Sequence, residues 1–231
     1  MSGLLRLAVA LGLLMALVPA APAQETSVRP HINRHYEDAD YERWRQTFER
    51  PGREVYDRRH DIVAAAQVQT GMDVADVGAG TGLFTELFAA AAGPTGRVYA
   101  VDITETFVRN IERRAKRQGL GNVEGIVNDA RSTGLAADSV DLVFLSDTYH
   151  HFEYPQAMLA SIHEALRAHG RLVVIDFRRK EGESSQWVME HVRAGREQVV
   201  EEIEAAGFRL LEDAPLLKIN YFLRFEPIVR P

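Results

Sequence analysis

Two hydrophobic periods take turns along this chain. Short apolar runs at 74–77, 97–101, 122–127, 140–145 and 171–176 predict strands, and the nearly unbroken Val140-Asp141-Leu142-Val143-Phe144-Leu145 suits a central strand covered on both faces. Between them, apolar residues recurring every three or four positions predict helices at 54–69, 83–92, 104–118, 155–168 and 195–206. Thr104 is placed to cap the third of these, and Gly71, Gly93-Pro94 and Gly119 act as stops. Strand and helix alternating at this spacing imply right-handed crossovers and a parallel sheet. The tail departs from the rhythm. Strand-like runs at 208–211 and 219–225 are joined only by a loop around Pro215, too short for a crossover, and should pair antiparallel.

The two ends of the pattern change the domain count. Residues 24–59 are polar and charged, with Tyr36, Tyr41, Trp44, Phe48 and Tyr56 interleaved, and predict a helical cap over the core's edge, as packing or as a lid over a substrate. Residues 1–23 read as a leader: a weakly basic start, an apolar run at 7–18, and Pro19-Ala20-Ala21-Pro22-Ala23 ending in the small-x-small pattern of a signal-peptidase site. The run is shorter than the roughly 20 residues that span a bilayer. Cleavage after Ala23 and export, to a periplasm, are therefore expected, with an uncleaved membrane anchor as the alternative. The division is a leader at 1–23, a cap at 24–59 and one main domain at 60–231.

Composition narrows the class. Hydrophobic content of 46% and charged content of 26% describe an ordinary globular chain. A formal charge of −6 argues against a nucleic-acid partner, and Arg113-Arg114-Ala115-Lys116-Arg117 fits a solvated helix face. The absence of cysteine excludes disulfides, thiolate catalysis, cysteine metal sites and a lipoprotein anchor.

The candidate chemistry starts at Val74-Ala75-Asp76-Val77-Gly78-Ala79-Gly80-Thr81-Gly82, a buried strand breaking into a glycine-rich loop. Glycines there let a ligand approach the backbone, and Asp76 sits where ligands bind in open α/β sheets. A plain tight turn is the bland alternative. Asp102, ending the second strand, can accept both hydroxyls of a ribose, which identifies a ribose and not a particular cofactor. A dinucleotide fingerprint needs glycine or alanine where Leu83 stands.

The loop, Asp102, Asn128-Asp129-Ala130 and Ser146-Asp147-Thr148-Tyr149-His150-His151-Phe152 together resemble a class I S-adenosylmethionine-dependent methyltransferase of the small-molecule branch, over about 54–225. The resemblance implies a Rossmann-like, doubly wound α/β fold: a mostly parallel seven-stranded sheet with an antiparallel last strand, here under an N-terminal helical cap. It also implies S-adenosyl-L-methionine as cofactor and a small molecule as methyl acceptor. Gly78, Ala79, Gly80 and Gly82 would lie against the cofactor's methionine portion, and Asp76 would face its ammonium group, where a pyrophosphate would be repelled. Ile103 and Ala130 would flank the adenine and Asp129 would accept from its amino group, with capping of a following helix as the bland reading of Asp129. Ser146 would complete the cofactor site. His150 or His151, one of them in reach of the pocket, would serve as base, and Asp147 would orient substrate or cofactor; helix capping or backbone bonding is the bland reading of the histidines.

Other features carry weaker expectations. His31 and His35 have helical metal-ligand spacing without a third ligand nearby, so a surface helix and no metal are expected. Arg178-Arg179-Lys180 borders the crevice as a solvated turn or an attractor of acidic substrates. Three departures limit the resemblance: His169-Gly170 replaces a frequent Gly-Gly turn, the Asn/Asp-Pro-Pro-aromatic motif of nucleic-acid and protein amino methyltransferases is absent, and thiol-based arsenic methylation is excluded. Two rival functions stay open, a non-catalytic exported binding module and a nicotinamide-dependent oxidoreductase. The leader adds a tension, because S-adenosylmethionine is made in the cytoplasm.

Overall fold

The computed structural model describes residues 26–37 and 39–228, so the expected leader lies outside the described residues. A 3₁₀ turn at Arg34–Tyr36 and helix α1 (Tyr41–Phe48) open the chain. Asp40 caps α1, its side chain accepting from the Arg43 amide. Short α2 (Glu54–Asp57) and α3 (Arg59–Ala66) follow, then β1 (Val74–Val77), α4 (Leu83–Ala92), β2 (Val98–Asp102), α5 (Glu105–Arg117), β3 (Val123–Val127) and β4 (Val140–Ser146). The second half holds α6 (Pro155–Ala165), β5 (Leu166–Phe177), α7 (Gln186–His191), α8 (Arg196–Ala205), β6 (Phe208–Ala214) and β7 (Asn220–Pro227).

The seven strands form one sheet in the order β3-β2-β1-β4-β5-β7-β6. Strands β1 to β5 pair in parallel, and β7 lies between β5 and β6, antiparallel to both. The doubly wound, mostly parallel fold with an antiparallel tail is thus the observed one. Strand β4 shows why it holds together. Val143 and Leu145 join one buried cluster with Met158, Leu159, Val199 and Ile203, while Leu142 and Phe144 join a second with Ile62, Phe84 and Phe88. Each such side chain removed from water contributes about 1.5–3 kcal/mol, and both faces of the sheet collect it.

Four local expectations need correction. The helix expected at 54–69 breaks at Arg58 and ends at Ala66, because Gln67 takes the left-handed conformation at φ +59°. The helix expected at 155–168 stops at Ala165, since Leu166 already pairs with Val140. Thr104 makes no side-chain cap bond; instead Asp102 accepts from the Thr104 amide at 2.8 Å. His31 and His35 do not share a helix: His31 has φ +66° and only 34–36 form a 3₁₀ turn. Among the described residues no helix is long and apolar enough to cross a membrane.

Candidate active site

Strand order reverses at β1, flanked by β2 and β4, and the carboxyl ends of these strands open into a crevice where α/β sheets bind ligands. A cavity of about 780 Å³ occupies it, toward the upper end of the roughly 300–1,000 Å³ common for ligand sites. All the sequence-predicted residues line it except Gly82: Asp76, Gly78, Ala79, Gly80, Asp102, Ile103, Asp129, Ala130, Ser146, Asp147, His150 and His151.

The loop after β1 is shaped for a particular kind of ligand. The Gly78 and Ala79 amides donate to the Val101 carbonyl, Gly80 donates to Asp102 Oδ2 at 2.8 Å, and Gly82 donates to the Ala79 carbonyl. Four amides that would cradle a phosphate in a nucleotide loop already have acceptors inside the fold. What faces the cavity is a pair of buried carboxylates, which suits a cation. Gly78 and Gly80 take φ +72° and +56°, and a methyl group at Gly78 would collide with Thr148 Cγ2 and Oγ1. Gly82, also left-handed and the N-cap of α4, serves a packing role: a Cβ there would lie 2.9 Å from Ile111 Cγ1 of α5.

Asp76 is buried, accepts from Thr85 Oγ1 at 2.6 Å, and has its pKa pushed up to about 7; burial drives this, the Thr85 bond opposes it, and the Asp102 charge adds to it. Asp102 is raised to about 6 by burial, against the backbone bonds from Thr104 and Gly80. A cationic ligand would relieve both. Ile103 is 40% exposed, an apolar surface at the cavity beside Asp102. Asp129 Oδ1 accepts from the Arg131 and Ser132 amides, a turn bond rather than a cap, since no helix follows it. Ser146 Oγ is buried without a partner, a polar atom left over for a ligand.

The cap is wired directly into this crevice. Asp147, at φ +51°, accepts from Arg53 Nη2 at 2.6 Å and Asn220 Nδ2 at 2.5 Å. Burial raises its pKa while Arg53 opposes. With both oxygens engaged, Asp147 fastens the cap to β7. Glu54 reinforces the fastening by accepting from the amides of Lys218, Ile219 and Asn220. Tyr41 donates to the Thr81 carbonyl, and Glu49 accepts from Thr81 Oγ1 and from Arg114. Tyr36, Trp44 and Phe48 pack ring on ring, Tyr36 also onto Phe107, as the packing alternative expected, and all three line the cavity. The Arg178-Arg179-Lys180 run lies outside the cavity, with Arg179 on the Met189 carbonyl and Lys180 paired to Glu183.

Both histidines reach the cavity. His150 is buried, and Asp176 holds it through the imidazole Nδ1 at 2.8 Å and the backbone amide at 3.0 Å. His150 Nε2 is buried with no partner. Asn33 grips His151 twice, its Oδ1 on the ring Nδ1 at 3.1 Å and its Nδ2 on the carbonyl. His191 completes a triangle, with ring centroids 5.2 Å from both. Burial, then the neighbouring imidazoles, hold His151 well below the usual histidine range, and burial lowers His191 to about 4. Sequence reasoning missed Arg53, Asn33, Asp176, His191 and Asn220. Asp176 carried a usable signal, since it ends a buried strand as Asp76 and Asp102 do; His191 carried none.

Comparisons with known proteins agree with this geometry. The methyltransferase domain family matches residues 75–174. The ubiquinone/menaquinone biosynthesis C-methyltransferase of Burkholderia cenocepacia is 32% identical over 115 residues, 50% of this chain and 47% of that protein. That of Hydrogenovibrio crunogenus is 32% identical over 121 residues, 52% and 47%. The chain thus spans about half the length of the curated relatives it matches. An S-adenosylmethionine-dependent methyltransferase from Aquifex aeolicus superposes with a TM-score of 0.72 at 24% identity, over 83% of this chain and 100% of that one. A structure described as a possible exported protein from Bordetella parapertussis gives 0.64 at 15%, over 84% and 81%. These likenesses show the fold, and residues 75–174 are the part similar to the methyltransferase domain family.

Proposed function

We propose that this protein transfers a methyl group from S-adenosylmethionine to a small molecule bound under the aromatic cap. The observation that carries the reading is the pairing of a loop with its amides internally satisfied and two buried carboxylates, Asp76 and Asp102, whose raised pKa values ask for a cation. A zwitterionic, sulfonium-bearing ligand fits this arrangement, and a pyrophosphate does not. Asp76 would face the ammonium group, Asp102 the ribose hydroxyls, and Ile103 the adenine. The partnerless Ser146 Oγ offers a further hydrogen bond.

The cofactor, when bound, supplies an activated methyl group on a cationic sulfur. Methyl transfer is an in-line displacement, so the chain's own work is to exclude water, align the acceptor and take its proton where it carries one. Tyr36, Trp44 and Phe48 form an aromatic wall suited to a flat, apolar acceptor. Proton removal falls to the histidine cluster, where His150 offers a fixed lone pair on Nε2. The relatives act in ubiquinone and menaquinone biosynthesis as C-methyltransferases, which favours an aromatic acceptor here, although half their length has no counterpart in the match.

The location we propose is outside the cytoplasm, on the strength of the leader pattern at 1–23, with retention of that leader as a membrane anchor as the alternative. Calorimetric titration with S-adenosylmethionine and S-adenosylhomocysteine tests the cofactor, and absence of heat at millimolar ligand refutes it. Labelled cofactor incubated with a cell-envelope extract should then mark one small-molecule fraction. A protein that binds cofactor and labels nothing is the non-catalytic module instead.

A further inference from the structure

The three imidazoles of His150, His151 and His191 present one ring nitrogen each within 4.8 Å of one another, at the edge of the acceptor cavity. They come from distant parts of the chain: a 3₁₀ turn at Tyr149–His151 after β4 and the last residue of α7. We infer that they form a divalent transition-metal site, a three-histidine set of the zinc class, with its open position turned toward the methyl acceptor.

Donor chemistry is the first support. Three neutral imidazoles are borderline ligands suited to zinc, copper, nickel, cobalt or iron, and unsuited to magnesium or calcium, which take oxygen. Three protein ligands with a fourth position free is the arrangement of catalytic zinc sites, whereas structural sites are closed by four.

The surroundings are the second. Histidine ligands are ordinarily oriented by a partner on the other ring nitrogen. His150 has Asp176 on Nδ1 at 2.8 Å, which leaves Nε2 with its lone pair outward. That Nε2 is buried and has no hydrogen-bond partner, which an ion would resolve. Asn33 Oδ1 occupies His151 Nδ1 at 3.1 Å and leaves its Nε2 likewise. Trp187 stacks on the His191 ring at 4.7 Å and fixes its plane. Two of the three ligands thus have a partner on the far nitrogen and the third has a stacking support.

The geometry also says what loading would do. Tetrahedral zinc at about 2.0 Å from each nitrogen places the nitrogens about 3.3 Å apart, so the triangle would tighten by up to about 1.5 Å. Asp176 anchors His150, so the tightening would fall on His151 and on His191 at the end of the short α7. The ligand class for the open position is an acceptor oxygen, a hydroxyl or an ionisable carbonyl next to the atom to be methylated; a bound ion would lower that oxygen's pKa and so replace the proton removal that His150 Nε2 would perform without it. This role rests on the proposed methyltransferase function; the metal site does not.

The test uses the full protein stripped with a chelator and titrated with Co2+, read by the visible absorption of a four- or five-coordinate ion, then with Zn2+ in competition. One Co2+ per chain, displaced by one Zn2+, with micromolar or tighter affinity, is expected. His191→Ala should weaken binding at least about 100-fold and Asp176→Asn about 10–100-fold, while the exposed His169→Ala should leave it unchanged. Near-ultraviolet circular dichroism checks that each variant is folded, and His191→Gln, which keeps the bulk, stands in if the alanine variant is not. No cobalt absorption from the wild type, or affinity unmoved in a folded His191 variant, overturns the inference. Calorimetry with S-adenosylhomocysteine separates the two proposals. Cobalt bound without cofactor binding supports the metal site and refutes the methyltransferase, and the reverse result does the opposite.

Discussion

Asp76→Asn isolates the most heavily perturbed acid of the cavity. In the unfolded chain an aspartate ionises near 3.8, whereas folding holds the Asp76 proton until about pH 7. Between those values the folded state keeps a proton that the unfolded state has lost, so stability falls as pH rises, by about 1.4 kcal/mol per pH unit, and levels off above about pH 7. From pH 5 to pH 7.5 the loss is about 3 kcal/mol. Asparagine retains an acceptor for Thr85 Oγ1 and cannot ionise, so the variant should escape this slope. Urea unfolding of ligand-free protein, followed by circular dichroism, should show the stability of the variant relative to wild type rising by about 3 kcal/mol between pH 5 and pH 7.5. Titrating groups that do not act on Asp76 cancel in the comparison, and Asp102, whose charge does, contributes a smaller part of the difference. The same variant should bind S-adenosylhomocysteine at least tenfold more weakly at pH 7.5, because the ammonium loses its carboxylate. A stability gap that stays constant between the two pH values refutes the burial argument. Undiminished affinity refutes the placement of the ammonium at Asp76.

Three further outcomes follow from the same geometry. Cofactor binding by the wild type should tighten by about 50-fold from pH 5 to pH 6, with close to two protons released on binding at pH 5, since Asp102 and Asp76 ionise near about 6 and about 7; calorimetry in two buffers of different ionisation enthalpy measures the release. Arg53→Ala leaves the buried Asp147 carboxylate with only Asn220, and should cost about 3 kcal/mol in urea unfolding and raise the acceptor KM by loosening the cap. Gly78→Ala should abolish measurable cofactor binding, and adding Thr148→Ala should restore part of it, because the collision with Thr148 Cγ2 and Oγ1 is removed while the left-handed φ remains; equal binding by both variants would show that the collision does not matter.

Much of the fold was legible in the linear pattern. Strands β1, β2 and β4 and the 172–176 stretch of β5 are buried on both faces, so each shows as an apolar run, and the helices between them show a 3.6 period. The antiparallel tail followed from a loop too short to cross over. Helix α7 was not legible: six residues, one of them buried, leave no period to read. The early end of α3 was hidden for another reason, since Gln67 takes a left-handed conformation that glutamine does not advertise.

The site divides along the same line. Asp76, Asp102 and the glycines were determined by the sequence itself, because in a parallel sheet the residue after a strand must emerge at one edge, and that rule is local. The partners of those residues were decided by tertiary structure alone. Asn33 reaches His151 across 118 positions, Arg53 reaches Asp147 across 94, and Glu54 reaches the start of β7 across 166. His191 meets His150 and His151 because the chain after β5 brings α7 beside the 3₁₀ turn at Tyr149–His151. A hydrophobic pattern records which face of an element is buried, and it carries no information on which polar groups two buried faces bring within 3 Å. That is fixed only when the sheet order and the cap are in place, and it is there that a glycine loop with two acids acquires a closed cavity and a triangle of imidazoles.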